Sequence, residues 1–179
     1  MANTSKKKFN ISKVMLIVSL ALLVFSVVAY FMPFVTYAPK HLSSQVSFSG
    51  YDFTRVIMGE SMGLEYKPLL TLFEDERTMQ YANIVAKFGP ICVGASAILF
   101  IVTTLAIFFP KFNNVFVIGA YLAVVIVLCM AVLAVVGSMT VTQGDKSFNN
   151  YMLAWGFMAM VGSAIGASVV NVISNLMSK

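Results

Sequence analysis

Charge is what this sequence has least of. Only 11% of its 179 residues are charged, against 59% hydrophobic, where a soluble domain carries about 25% charge. That depletion excludes an ordinary soluble enzyme and a disordered regulator. Cysteine is nearly absent: Cys92 and Cys129 both sit in apolar stretches, which excludes a disulfide-stapled secreted scaffold. A zinc site takes three or four ligands, and the single histidine, His41, leaves too few for one and no constellation for a catalytic triad. There is no Gly-rich phosphate loop or Walker pattern. The expected protein is therefore non-enzymatic, without a cofactor or metal, and without a nucleic-acid partner.

What is present is apolar sequence in long runs. Residues 14–34, 88–109, 115–137 and 151–173 are free of charge, and every charged residue lies outside them. About 20 residues at 1.5 Å per residue cross a ~30 Å hydrocarbon layer, and in lipid such runs satisfy their backbone groups as helices. The expected fold is an all-α membrane protein: a four-transmembrane-helix bundle in the cell membrane. Its organisation reads as a basic tail (1–13), a first span (14–34), an outer loop of about 50 residues (35–87), and a second span (88–109). An inner turn (110–114), a third span (115–137), a short outer loop (138–150), a fourth span (151–173) and a tail (174–179) follow. The first apolar run exceeds the 7–15-residue core of a signal peptide, so an uncleaved span is expected.

Orientation comes from the lysines and acids. With the N-terminus inside, Lys6, Lys7, Lys8, Lys13, Lys111 and Lys179 are inner, and the other six basic residues are outer. The count is even, but the inner charges crowd short segments, where they set topology, while a long loop translocates largely regardless of charge. All seven acids fall on the outer side. Both termini are expected in the cytoplasm. The sequons at Asn3 and Asn10 then face inward and stay unused. Tyr30, Phe31 and Phe34, with Tyr151 and Trp155, read as an outer aromatic belt, and Phe108, Phe109 and Phe112 as an inner one.

The outer loop has its own pattern. Ser44 to Ser49 alternates polar and apolar residues, as a short strand would. Phe53, Val56 and Ile57 follow at helical spacing, giving a short amphipathic helix with Asp52 as its N-cap. Pro68 suits a first helical turn, and Tyr81, Ile84, Val85 and Phe88 carry a helical stripe into the second span, which should project beyond the bilayer. Glu74, Asp75 and Glu76 read as a solvated face.

Inside the spans there is no ionisable group of the kind that proton relays and ion pathways use. The polar side chains there are Ser19, Ser26, Ser96, Thr103, Thr104, Tyr121, Ser163, Ser168 and Asn171; most of the hydroxyls are expected to bond their own helix one turn back. The clearest packing signal is in the last span. Gly162 and Gly166 stand at GxxxG spacing, and Ala159, Ser163 and Ala167 extend a small-residue face that lets two helices approach closely. Gly119 with Ala123, and Gly94 with Ala97, are weaker pairs. This face serves either packing within the bundle or a partner helix.

The layout, with its basic inner tail, long first outer loop, tight inner turn and short second outer loop, resembles the claudin-like group of four-span proteins. That resemblance implies a first outer loop that forms a small sheet and mediates protein contacts. The group's loop signature of tryptophan and paired cysteines has no counterpart here, since Trp155 is the sole tryptophan and the loop has no cysteine. Pro33-Phe34 followed by Ser49-Gly50-Tyr51-Asp52 also looks like small bacterial four-span proteins. No functional residue is carried over from either. The expected role is an interaction, scaffold or accessory subunit that works through its outer loop and last helix, with the lipid bilayer and other membrane proteins or its own copies as partners. The alternative is a small channel or transport component formed by oligomerisation.

Overall fold

A computed structural model describes residues 11–38, 45–74, 76–109, 117–122, 124–126, 128 and 151–177 of the protein. Three helices among them are long and apolar enough to cross a membrane: α1 (Ile11–Ala29), most of α4 (Glu76–Phe108), and α6 (Trp155–Met177). A shorter apolar helix, α5 (Val117–Ile126), lies within the expected third span. Apart from Leu128, the rest of that span, the 110–114 turn, the 138–150 loop, His41 and Cys129 fall outside the described residues.

Helix limits differ from the apolar runs for local reasons. The α1 helix includes Ser12 and Lys13, ahead of the apolar run, because a lysine can extend its ammonium into water while its stem packs. It stops at Ala29, and Pro33-Phe34, read as span from hydropathy, belong to strand β1 (Pro33–Tyr37). Likewise Tyr151–Leu153 form strand β3 rather than helix, and α6 runs on to Met177. The 33 residues of α4 measure about 50 Å at 1.5 Å per residue, which is longer than a ~30 Å hydrocarbon layer is thick.

The N-terminal end of α4 carries a cap. Strand β2 (Val46–Ser49) leads directly into α2 (Gly50–Ile57), and a 3₁₀ turn (Leu64–Tyr66) leads into α3 (Lys67–Glu74), which packs on α4. The α2 N-cap is Ser49 and not Asp52: Asp52 occupies the third helical position, accepts from the Ser49 backbone N–H at 2.8 Å, and completes a capping box. The strands form an antiparallel sheet in the order β2-β1-β3. An otherwise helical fold therefore has a small sheet, and that sheet ties the segment after α1 to the segment before α6. Val35 pairs with Phe48 on one side and Leu153 on the other, and the Ala154 N–H donates to the Phe34 carbonyl at 2.8 Å. A single apolar core of Phe34, Phe48, Phe53, Val85, Phe157 and their neighbours runs from the sheet into the top of the bundle.

Candidate functional site

The α1 and α6 helices pack antiparallel along a seam of hydroxyls. Ser12, Ser19 and Ser26 recur every seven residues on α1, and Ser174, Ala167 and Met160 step back along α6 at the same interval. Ser12 donates to the Ser174 carbonyl at 3.1 Å, Ser19 to the Ala167 carbonyl at 3.0 Å, and Ser26 to the Met160 carbonyl at 3.2 Å. A seven-residue step returns to almost the same helix face, so three equivalent bonds fix the register of the pair. Small side chains allow the close approach that lets a short serine reach a neighbouring backbone.

Two longer hydroxyl chains cross the bundle. Ser96 on α4 donates to Ser26 at 3.3 Å, and Ser26 passes its own proton to the Met160 carbonyl. Seven residues on, Thr103 bonds the Tyr121 hydroxyl, which lies 3.4 Å from Ser19. The assignment that uses each proton once runs Thr103 to Tyr121 to Ser19 to the Ala167 carbonyl, and it links all four helices. Asn171 is fully buried in the same interior. Its Oδ1 accepts from Asn175 Nδ2 at 3.0 Å, and its side chain also bonds the Tyr121 hydroxyl. The expectation of self-bonding holds for Thr104 and Ser168, which donate to the carbonyls of Phe100 and Ala164. It is wrong for Ser19, Ser26, Ser96 and Thr103, whose hydroxyls join helices. The spacing of seven is the signal that separates them.

The small-residue face of α6 is split by this packing. Ser163 and Ala167 are buried, and Ala159 is partly buried. Gly166 is half-covered, and a Cβ placed there would meet Leu22 Cδ1 at 3.5 Å. Gly162 is exposed, with open space where a Cβ would stand. Gly94 and Gly119 are also exposed, as is Ala97, while Ala123 lies outside the described residues. One flank of the face is thus internal, and the Gly162 flank points outward.

The cap is keyed to the bundle at a proline. Pro90 interrupts α4 and supplies no N–H for the Ala86 carbonyl one turn back. The Thr54 hydroxyl of α2 points at that carbonyl (3.4 Å) and at the Gly50 carbonyl (3.1 Å), and it pairs with the Tyr30 hydroxyl at 2.6 Å. Tyr30 fits because residue 89 is glycine: a Cβ there would lie 2.6 Å from its ring. At Gly156 a Cβ would lie 2.5 Å from the Pro33 carbonyl oxygen, so the first turn of α6 passes against the backbone entering β1. Phe34 meets Phe157 edge-to-face with ring centroids 5.6 Å apart, and Phe157 meets Phe88 at 5.3 Å. Tyr30 and Phe34 are therefore core residues and not the aromatic belt, because the cap covers them; Phe31 remains 61% exposed and Trp155 57%.

No family model, curated protein or solved structure matches the chain.

The arrangement offers packing and surface. Among the described residues no group of three or more His, Cys, Asp or Glu could hold a metal. Glu74 and Glu76 are exposed. Cys92 is buried, with its sulfur 3.9 Å from the Ser26 hydroxyl. The cap, by contrast, displays Met58 at 73% and Leu64 at 92% exposure, apolar side chains held outward by an ordered framework.

Proposed function

We propose that the protein is a non-enzymatic, four-span integral membrane protein with both termini in the cytoplasm, and that it serves as an interaction, scaffold or accessory subunit. The observation that carries this reading is the ordered cap with Met58 and Leu64 fully outward. A framework that buries Phe34, Phe48 and Phe53 yet leaves these two apolar side chains exposed is built like a surface awaiting a partner. The interior supports the same reading, since the hydroxyls of Ser19, Ser26, Ser96 and Thr103 are used in joining helices. The outward flank of α6 around Gly162 is a second contact surface for a helix of a neighbouring protein or another copy.

The test is cross-linking in native membranes followed by identification of what co-purifies, with Met58→Asp and Leu64→Asp as variants. Both should fold normally and lose the partner; retention of the partner by both contradicts the role of the cap. Replacing Gly162 and Gly166 with Leu should disturb assembly, and unchanged oligomer size and partner recovery would remove α6 from the account. Orientation is read by cysteine-accessibility labelling: positions in the 45–74 segment should label from outside and position 111 from inside, and the reverse would overturn the topology.

A further inference from the structure

We propose that the start of α2 is seated in the outer lipid headgroup layer, with Phe31 and Tyr51 forming the aromatic anchor of this side of the bundle. The inference rests on reading α1, α4 and α6 as bilayer spans. The 19 residues of α1 extend about 28 Å at 1.5 Å per residue, which matches a hydrocarbon layer of ~30 Å. Its exposed side chains, among them Ile17, Val24, Phe25 and Val28, form an apolar strip that ends on Phe31, two residues past the last helical residue. Phe31 therefore stands at the boundary between hydrocarbon and headgroups.

From there the strip passes to α2. The Tyr51 ring, 44% exposed, lies 5.6 Å from that of Phe31. One turn on, the Arg55 guanidinium stands 6.0 Å from the Tyr51 ring centroid, while its Nε binds Glu60 at 2.6 Å. A ring with an apolar body and a polar rim, continuous with a lipid-facing helix, has the chemistry of a headgroup-level anchor. Glu60 already neutralises the arginine, so the occupant is the zwitterionic bilayer surface and attraction to anionic lipid is not required. Tyr30 and Phe34 are taken into the core, and Tyr51 replaces them at the boundary. Met58 and Leu64 are left for protein contact.

The experiment uses full-length protein in phosphatidylcholine nanodiscs. Tyr51→Trp is made in a Trp155→Phe background, which leaves one tryptophan. Lipids brominated near the carbonyl end of the acyl chain should remove most of its emission, and bromines at the chain end should remove less. Adding phosphatidylserine should leave the quenching unchanged. Emission that stays bright, or quenching that appears only with anionic lipid, overturns the proposal. So does a blue-shifted but unquenched tryptophan, which would mean that protein covers the site. Val18→Trp, at an exposed position near mid-span, separates the two readings. If chain-end bromines do not quench it, the span assignment fails and the anchor fails with it; if they do while Tyr51→Trp stays bright, the anchor alone fails. Should Tyr51→Trp not fold, Phe31→Trp, at an exposed position against the same ring, carries the same expectation.

Discussion

Replacing Ser19 with alanine tests how the bundle holds itself together. The substitution removes one oxygen and creates little volume change, so its effect reports on hydrogen bonding. Two interactions go: the bond to the Ala167 carbonyl at 3.0 Å and the 3.4 Å contact that accepts the Tyr121 proton. A hydrogen bond between membrane helices contributes about 0.6 kcal/mol on average. A buried hydroxyl left without its acceptor costs about 1–3 kcal/mol more, and the lower figure applies because the Tyr121 proton can turn to Thr103, which it already touches. Ser19→Ala should therefore destabilise by about 1.5–2 kcal/mol, a roughly 10- to 30-fold change in the unfolding equilibrium.

Ser26→Ala should cost less, about 0.6 kcal/mol. Ser96, which donates to Ser26 at 3.3 Å, can rotate to its own helix's carbonyl one turn back. Thr104→Val is the control, because that hydroxyl bonds Phe100 in its own helix. The assay is reversible unfolding in bicelles by steric trapping, with a Ser19→Ala/Tyr121→Phe double-mutant cycle. Once Ser19 is gone, removing the Tyr121 hydroxyl should cost only its bonds to Thr103 and Asn171, about 1 kcal/mol less than it costs when Ser19 is present, and that difference is the coupling. Equal effects at Ser19, Ser26 and Thr104, or no coupling to Tyr121, would refute the hydroxyl-chain account.

Gly156→Ala drives a Cβ to 2.5 Å from the Pro33 carbonyl oxygen and should cost about 1–3 kcal/mol. Gly162→Ala meets open space and should leave the monomer's stability unchanged or slightly raised; equal losses in thermal melts would show that the α6 packing is misassigned. Asn171→Leu removes a buried amide that accepts from Asn175 Nδ2 at 3.0 Å and bonds the Tyr121 hydroxyl and should destabilise by about 1–3 kcal/mol, so a neutral or stabilising result would show that these bonds contribute nothing. Burial, with Tyr37 alongside, pushes the Tyr151 phenol up to about 12 from an ordinary value of 10.0. The folded protein then holds that proton more tightly than the unfolded chain. The associated stability is complete below about pH 10 and is lost as pH rises to about 12. Tyr151→Phe should flatten that alkaline decline, and an unchanged pH slope would show that Tyr151 does not cause it.

The spans were the most legible feature, because hydropathy over about 20 residues reports on the solvent a helix lives in. Their ends were less so. Pro33, Phe34 and Tyr151 are as apolar as their helical neighbours, and only pairing between strands more than a hundred residues apart places them in a sheet. Composition cannot report such long-range pairing. β2 and α2 were visible locally in their alternation and helical spacing, yet the choice of Ser49 over Asp52 as cap depends on the exact start of the helix. Tyr30 and Phe34 resembled an aromatic belt because aromatics at span ends usually are one; here a cap closes over them. The seven-residue interval of Ser12, Ser19 and Ser26 was present in the sequence throughout, but the carbonyls it meets on α6 could be known only from the packed pair.

The claim that the cap engages a partner is tested most directly by placing a photo-cross-linking side chain at position 64, where Leu64 is 92% exposed, and irradiating native membranes. The account predicts a discrete adduct with a membrane protein or a second copy of this chain, and its loss when Met58→Asp is added. Adducts with lipid alone, or none while an exposed α1 position such as Val18 cross-links to lipid normally, would contradict it.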